Sequence, residues 1–335
     1  MTRWSLGRFA AVLLACAAGW SIVAGACLLV GSSGGGAVGW PSDRAVLAIR
    51  LETVLVASLI GAALAAAGVA YQSLLNNPLA DPYLLGVSSG AMLASYLWTL
   101  PALTSFAVVF AWGQQAVAFV GAMLAVSVVL GVAGGRGRLE PVTVVLVGVI
   151  VNAVCGAAFM LVNAIVKDPA RQGGALSFLV GGLQSNLLAS QILAATAVTA
   201  IGLVILAAAA GRLNAGRLRD DEAEALGVRV NRLRWLGLTT ASVMTASVVA
   251  ISGPIGFVGL ICPHAGRLLV GHDVRRLLPV AAALGAALLA VADAVARYVS
   301  STAGIGTYLP VGIITSLLGG PFFLYLLLRR NASQP

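Results

Sequence analysis

The sequence predicts an all-α integral membrane protein of about ten transmembrane helices. Of its 335 residues, 60% are hydrophobic and only 9% are charged, and the mean hydropathy is +1.00. A soluble domain of this length does not reach such values. The apolar residues also fall in long blocks, and roughly 20 apolar residues are enough for a helix to cross a hydrocarbon core of about 30 Å. Most of the chain is therefore expected to lie within a bilayer.

Ten apolar blocks are assigned as membrane spans in chain order. They cover residues 9–30, 54–74, 83–102, 114–134, 141–166, 187–210, 234–252, 254–271, 277–298 and 308–328. The seventh and eighth blocks can also be taken as one broken unit, because residues 252–259 include one Pro and three Gly. Broken backbone at membrane depth survives only where protein or a cavity covers it. This segment is expected either to line a translocation path or to form a plain re-entrant turn.

The basic residues predict the orientation of the chain, because Arg and Lys near span ends are retained on the cytoplasmic side. With the N-terminus inside, five of the 20 basic residues fall outside: Arg44, Arg50, Lys167, Arg171 and Arg297. The other fifteen fall on the cytoplasmic side, so both termini are predicted to be cytoplasmic. The net charge of +9 is therefore a topology signal. Its dispersion over short loops disfavours nucleic-acid binding.

Residues 1–335 are expected to form a single transmembrane domain, since the longest polar interruptions cover only 31–50 and 211–234. The first apolar block is too long for an ordinary signal peptide, so cleavage is not expected. The chain has no G-x-x-x-x-G-K-[ST] loop and no catalytic pair, so we expect no enzymatic activity. His264 and His272 are interpreted as packing residues, and the four cysteines show no metal-ligand spacing. No bound metal or cofactor is expected.

The densest charged segment of the chain lies between two apolar blocks on the basic side, at residues 213–227. Asp221 and Glu224 have the spacing of a helix N-terminal cap, and acidic residues in a first turn suit the helix dipole. A short helix is therefore expected, presenting one face to a partner groove: Ala223, Ala225, Leu226 and Gly227. A solvated helix that touches nothing is the alternative.

Five stretches agree in order and spacing with one family of transporters. They are residues 61–68, 72–91, 220–227, 253–264 and 309–323, the second of which begins Gln-Ser-Leu-Leu-Asn-Asn-Pro-Leu-Ala-Asp-Pro-Tyr. On these stretches the chain resembles the type II ABC importer permeases, which carry ferric siderophores, haem and vitamin B12. The resemblance implies a ten-helix subunit in a bacterial inner membrane, paired as a homodimer. It also implies two cytoplasmic ABC ATPase subunits, which use ATP and Mg²⁺, and a periplasmic or lipid-anchored substrate-binding protein.

The resemblance also assigns roles to two cytoplasmic segments. Asn77, Pro78 and Leu79 are implied to narrow the cytoplasmic exit, and Pro78 is expected to end the preceding helix. The charged segment is implied to insert into the ATPase through these residues: Asp220, Asp221, Glu222, Ala223, Ala225, Leu226 and Gly227. Arg219 departs from the pattern, because the family usually has Gly there.

On the outer side, Arg50 and Arg297 match arginines of the family that pair with acidic residues of the binding protein. An ion pair within one helix is the alternative for Arg297, since Asp293 lies four residues earlier. The chain departs from the family pattern at Thr53, where a second arginine is common, and at Tyr308, where an acid is common. Docking is therefore expected to use fewer or different charge pairs.

The function predicted from the sequence is ATP-driven import of a metal chelate by alternating access. Ferric siderophore is the leading cargo because it is the commonest in the family, with haem and cobalamin as alternatives. A secondary transporter coupled to ions is a rival of another class, but it needs intramembrane acids, and Asp293 is the single deep candidate. A structural or sensor subunit without transport is a second rival.

Overall fold

A computed structural model describes residues 6–31, 38–41, 43–100, 113–135, 137–166, 180–183, 187–218, 220–303 and 309–332. Eleven α-helices are present in these ranges: α1 Leu6–Leu28, α2 Arg44–Leu74, α3 Val87–Trp98, α4 Gly113–Gly134, α5 Pro141–Val166, α6 Ala189–Ala215, α7 Asp220–Ala225, α8 Val230–Ser252, α9 Val258–Val270, α10 Val274–Thr302 and α11 Val311–Ala332. A short 3₁₀ helix at Pro82–Leu85 precedes α3. An isolated bridge joins Val30 to Val38. The all-α prediction is confirmed.

Each predicted span corresponds to a helical segment, although several segments differ from the prediction in length. Among the described residues, α1, α2, α4, α5, α6, α8 and α10 are long and apolar enough to cross a membrane alone. Helix α2 begins ten residues before the predicted block, because Asp43 caps its first turn by accepting from the Ala45 N–H at 2.9 Å. By contrast, α3 and α9 have 12 and 13 residues, or about 18 and 20 Å, and each is too short to cross alone.

The seventh and eighth blocks form two separate helices joined by the extended segment 253–257. Helix α8 ends at Ser252, and α9 begins at Val258. Because α9 covers only about two thirds of the hydrocarbon thickness, we expect segment 253–257 to lie within the membrane. Its last residue, Phe257, has a φ of 68°, a conformation that bulky side chains rarely adopt.

Helix α2 forms the centre of the fold, and glycines let two other helices approach its backbone. A Cβ on Gly61 would lie 2.0 Å from the carbonyl oxygen of Gly285 in α10. A Cβ on Gly68 would lie 2.0 Å from the carbonyl oxygen of Gly259 in α9. Lipid supplies no hydrophobic drive for helix association, so small residues at such crossings allow the van der Waals contact that holds the helices together. The stretch 61–68 is therefore a packing surface.

The Gly61 crossing predicts a sharp difference between two glycine substitutions. Gly61→Ala places a methyl group against the Gly285 carbonyl oxygen, and we expect it to destabilise the protein by about 1–3 kcal/mol. Gly131→Ala in α4 is the matched control, because no atom lies within 4 Å of its added Cβ. It should match or exceed the wild type, since Ala has the higher helix propensity. Thermal unfolding in detergent measures both variants, and equal melting temperatures would contradict this packing role.

Candidate translocation site

The broken segment between α8 and α9 has its backbone polar groups bonded by residues around it. The Tyr83 hydroxyl accepts from the N–H of Ile255 at 2.9 Å and donates to the carbonyl oxygen of the same residue at 3.1 Å. The carbonyl oxygen of Ser252 accepts from the N–H of Gly182 at 2.8 Å, and the N–H of Gly253 donates to Val249 in the last turn of α8. These contacts satisfy backbone groups that hydrocarbon cannot.

The backbone of Tyr83 is held in place by two side chains, Asp81 and Asn152. Its N–H donates to the Asp81 carboxylate at 2.9 Å, which caps the 3₁₀ helix, and its carbonyl oxygen accepts from Asn152 Nδ2 at 3.1 Å. Asn152 lies on α5, and its Oδ1 accepts from the Ser89 hydroxyl at 2.6 Å. The signature stretch 72–91 therefore connects α5 to the break between α8 and α9.

A cleft of about 290 Å³ opens beside this connection. Most of its lining surface is apolar, its polar groups come from Asp81, Tyr83, Ser88 and Asn152, and Gly256 of the break also lines it. A carboxyl, a hydroxyl and a carboxamide grouped together would be costly against lipid. The cleft is therefore suited to face water or another protein surface. Of the two alternatives for the break, this favours a position beside a path over a plain re-entrant turn.

Burial raises the pKa of the Asp81 carboxyl to about 6, and the hydrogen bond from the Tyr83 N–H opposes that shift. In the loop between α9 and α10, burial lowers the pKa of His272, and the charges of Arg217 and Arg267 lower it further. Arg217 also donates to the His272 carbonyl oxygen at 2.8 Å. His264 packs edge-on against Phe322, with ring centroids 5.9 Å apart. These contacts are consistent with the packing role predicted for both histidines.

The loop at residues 75–81 follows α2, which ends at Leu74. The helix ends at Leu74, as the predicted span does, and Asn76 adopts a left-handed φ of 48°; a role of Pro78 in ending the helix stays a prediction. Pro78 instead lies in a turn closed by Asn77, whose carbonyl oxygen accepts from the Ala80 N–H at 3.0 Å. The Asn77 side chain also accepts from the Leu79 N–H at 3.0 Å. This arrangement gives Pro78 the position that it favours in a β-turn.

The predicted charged helix is present as α7, and a buried arginine ties it to the membrane body. Arg234 of α8 donates two hydrogen bonds to the Asp220 carboxylate, at 2.7 and 2.9 Å, and a third to the Leu139 carbonyl oxygen at 3.1 Å. The Arg234 side chain is only 7% exposed. A bidentate contact of this kind fixes both distance and direction. Helix α7 and the start of α8 are therefore fixed to each other.

Two details of the predicted charged segment are corrected. Ala223 is fully buried against its own chain, so it is not presented to a partner as predicted. Asp221 is not the N-terminal cap, because α7 begins one residue earlier, at Asp220. Its carboxylate lies instead in the first turn, together with that of Glu222, where it suits the helix dipole.

The rest of the segment is exposed. Leu226 is 67% exposed, and Asp221, Glu222, Ala225 and Gly227 are exposed around it. Gly227 has a φ of 79°, and the N–H groups of residues 227 and 228 bond back into α7. This is a glycine-terminated helix end. The exposed residues Asp221, Glu222, Ala225, Leu226 and Gly227 form a surface that is both acidic and apolar, called here the α7 tip.

On the opposite side, both arginines predicted to dock a binding protein are buried within their own chain. Arg50 donates to the carbonyl oxygens of Leu28 and Gly39, each at 2.9 Å. Arg297 donates to the Val30 carbonyl oxygen at 2.7 Å. Its Nε also lies 2.9 Å from Oδ2 of a fully buried acid, Asp293. The ion pair left open by the sequence is present. The departures noted at Arg219 and Tyr308 lie outside the described residues.

Sequence patterns alone did not single out Tyr83, Asn152 or Arg234. Tyr83 lies inside the signature stretch and Arg234 was counted only as an orientation charge. Asn152, an amide within an apolar span, was the one available signal, because a polar side chain there needs an internal partner. Its partners come from residues 83 and 89.

The Asp81 environment predicts how pH changes the effect of Asp81→Asn. Because the folded pKa is raised, the charged carboxylate destabilises the folded state above about pH 6 and has no such effect below about pH 4. Asparagine can still accept the Tyr83 N–H. We therefore expect Asp81→Asn to melt about 2 °C or more above the wild type at pH 7.5 and level with it at pH 4. Melting temperatures across pH test this, and a difference independent of pH would refute it.

Comparison with known proteins is consistent with this arrangement. The FecCD transport family matches residues 9–329. The chain is 42% identical to the cobalamin import system permease protein BtuC of Halobacterium salinarum, over 84% of this chain and 73% of that protein. It is 38% identical to the hemin transport system permease protein HmuU of Yersinia pestis, over 86% and 84% of the two chains.

A solved structure also has the same fold. It is an ABC transporter of the metal-chelate type in an inward-facing conformation, with a TM-score of 0.80 and 28% identity, and the match covers 96% of this chain and 99% of that one. The chain is a multi-pass membrane protein and belongs to the FecCD transport family of ABC importer permeases.

Proposed function

We propose that this permease imports a metal chelate across a bacterial inner membrane, driven by ATP that partner subunits hydrolyse. The observation that carries the proposal is the family match, which runs over nearly the whole chain and includes every stretch on which the site depends. The relatives are named for cobalamin, hemin, Fe(3+)-citrate and iron(3+)-hydroxamate. All four cargoes are metals held in an organic or coordinating shell. Ferric siderophore remains our leading cargo.

The proposed complex contains two copies of this chain as a homodimer, two cytoplasmic ABC ATPase subunits and an external substrate-binding protein. In this complex residues 1–335 act as one transmembrane domain, with both termini in the cytoplasm and the outer helix faces in contact with lipid. ATP and Mg²⁺ are used by the ATPase. We expect no cofactor to be bound by this chain.

In this proposal the tip of α7 is the ATPase contact. Leu226 supplies an exposed apolar anchor, and Asp221 and Glu222 surround it with negative charge. Asp220 has a different role, since its carboxylate is bonded to Arg234. We propose that this contact makes α7 and α8 move together when the ATPase moves α7. Ala223 supports the tip from inside.

The proposed gate is the turn formed by Asn77, Pro78 and Leu79. It directly precedes the cleft lined by Asp81 and Tyr83, and Pro78 is exposed. A turn at the end of a buried helix can change position while α2 keeps its packing. We propose that the cleft borders the path and that this turn narrows its cytoplasmic end.

Docking of the binding protein near Arg50 and Arg297 remains part of the proposal, in a modified form. Both side chains bond to carbonyl oxygens at the end of α1 and in the loop that follows it, so they support the shape of the outer surface. The rival secondary-transport mechanism lacks support from Asp293, which is buried and paired with Arg297. A carboxylate held in this way is poorly suited to exchange protons or ions during transport.

An uptake experiment separates the proposed function from its rivals. The chain is co-expressed with its genomic neighbours and purified, and vesicles holding the complex are offered cobalamin, hemin, ferric citrate and a ferric hydroxamate. We expect co-purification of an ATPase and uptake of one chelate that stops when ATP is depleted but continues when ion gradients collapse. Uptake with the opposite dependence would support the secondary transporter. A stable complex that takes up none of the four would favour a subunit without transport.

A pair of substitutions tests the contact at α7. Leu226→Arg changes an exposed side chain, so the permease should fold normally but bind its ATPase about tenfold more weakly or worse, as expected when an apolar anchor is lost. Ala223→Arg forces a charge into a fully buried position and should lower thermal stability instead. Pull-down of the ATPase and melting temperature are measured for each. Normal ATPase binding by Leu226→Arg would remove the coupling role from this tip.

A further inference from the structure

Helix α8 connects the two ends of the proposed machinery. Near its first turn, Arg234 is bonded to Asp220 of α7. At its other end, Ser252 leads directly into the broken segment 253–257. The 19 residues from Arg234 to Ser252 belong to one uninterrupted helix and span about 27 Å. A displacement of α7 would therefore reach the broken segment if α8 moves as a rigid body.

The Tyr83 side chain connects the broken segment 253–257 to the loop that follows α2. Its hydroxyl bonds both polar backbone atoms of Ile255, at 2.9 and 3.1 Å. Ile255 is fully buried, so if the hydroxyl withdrew, an N–H and a carbonyl would lose their partner in a poorly hydrated place. Such groups are costly to leave unpaired. The tyrosine and the broken segment are therefore held together more strongly than by packing alone.

Other contacts hold the backbone around Tyr83 and do not depend on its hydroxyl. The Asp81 carboxylate accepts its N–H, and Asn152 donates to its carbonyl oxygen. The end of α2 has its own link to α9, because Gln72 Nε2 donates to the Gly259 carbonyl oxygen at 3.1 Å. Loss of the hydroxyl alone should therefore leave the loop in place.

We propose that the Tyr83 hydroxyl is the positioning group that transmits movement of α8 to the turn at 77–79. The inference rests on the proposed function, in which the α7 tip receives the ATPase and this turn is the gate. The movement passes through the contact between the Tyr83 hydroxyl and the backbone of Ile255. Tyr83 acts through the loop, so no contact with cargo is required.

Tyr83→Phe tests the proposal, because it removes one oxygen and keeps the ring. The complex is reconstituted in vesicles with its ATPase and loaded binding protein, and the chelate imported per ATP hydrolysed is measured. We expect this ratio to fall about fivefold or more, in the range typical of lost coupling between sites. Subunit assembly and ATP hydrolysis should stay near the wild-type values. A residue that only stabilised the fold would lower hydrolysis and uptake together.

Tyr96→Phe is the matched control. The Tyr96 hydroxyl donates to Asn163 Oδ1 at 2.9 Å, and the side chain is buried. This substitution therefore also removes one phenol hydrogen bond between parts of the membrane body, but it does not touch the break. Tyr96→Phe should keep the wild-type ratio of import to hydrolysis.

Hydrogen exchange gives an independent measurement. In the wild-type complex, ATP binding should change exchange in peptides covering 76–86 and 252–259 together. In Tyr83→Phe, the peptide with Ile255 should exchange faster, and the two peptides should no longer respond together. A wild-type ratio in Tyr83→Phe, or an equal fall in Tyr96→Phe, would overturn the inference while leaving the proposed function intact. Absence of ATP-driven uptake by the wild-type complex would overturn both.

Discussion

Hydrocarbon contains no water to bond a peptide group, so every N–H and carbonyl at membrane depth needs a partner within the protein. Helices meet this requirement along most of the chain. Segment 253–257 cannot, because it leaves helical geometry between α8 and α9. The residues around it meet the requirement instead, chiefly through the Tyr83 hydroxyl on Ile255. Many of the contacts around the site serve to bond the backbone groups of this segment while it remains non-helical.

Close backbone approach is the second condition for this site. Helix α2 packs on α10 at Gly61 and on α9 at Gly68, with no space for a side chain at either crossing. The second crossing places the end of α2 beside the start of α9, where Gln72 bonds to Gly259. Small residues therefore bring the end of α2 and the start of α9 within hydrogen-bonding range.

Charged residues have structural roles in two separate parts of the fold. Arg234 joins α7 to α8 through Asp220, and Arg297 pairs with Asp293 in the C-terminal half of α10. A buried pair such as Arg297–Asp293 contributes little net stability compared with apolar packing, but removing one partner is strongly destabilising. The pair of Arg234 and Asp220, which is buried on the arginine side alone, holds α7 and α8 in a fixed position relative to each other.

The sequence by itself determined the all-α membrane fold, the order of its spans, the short charged helix and the position of the break at 253–257. These features are local, because they depend on apolar runs, on charges between them and on Pro and Gly within a few residues. Only the tertiary structure decided that Ala223 faces inward and that Arg50 bonds to its own chain. It also paired Tyr83 with Ile255, which lies 172 residues away. Such pairings depend on how the helices pack in three dimensions, and no local pattern specifies them.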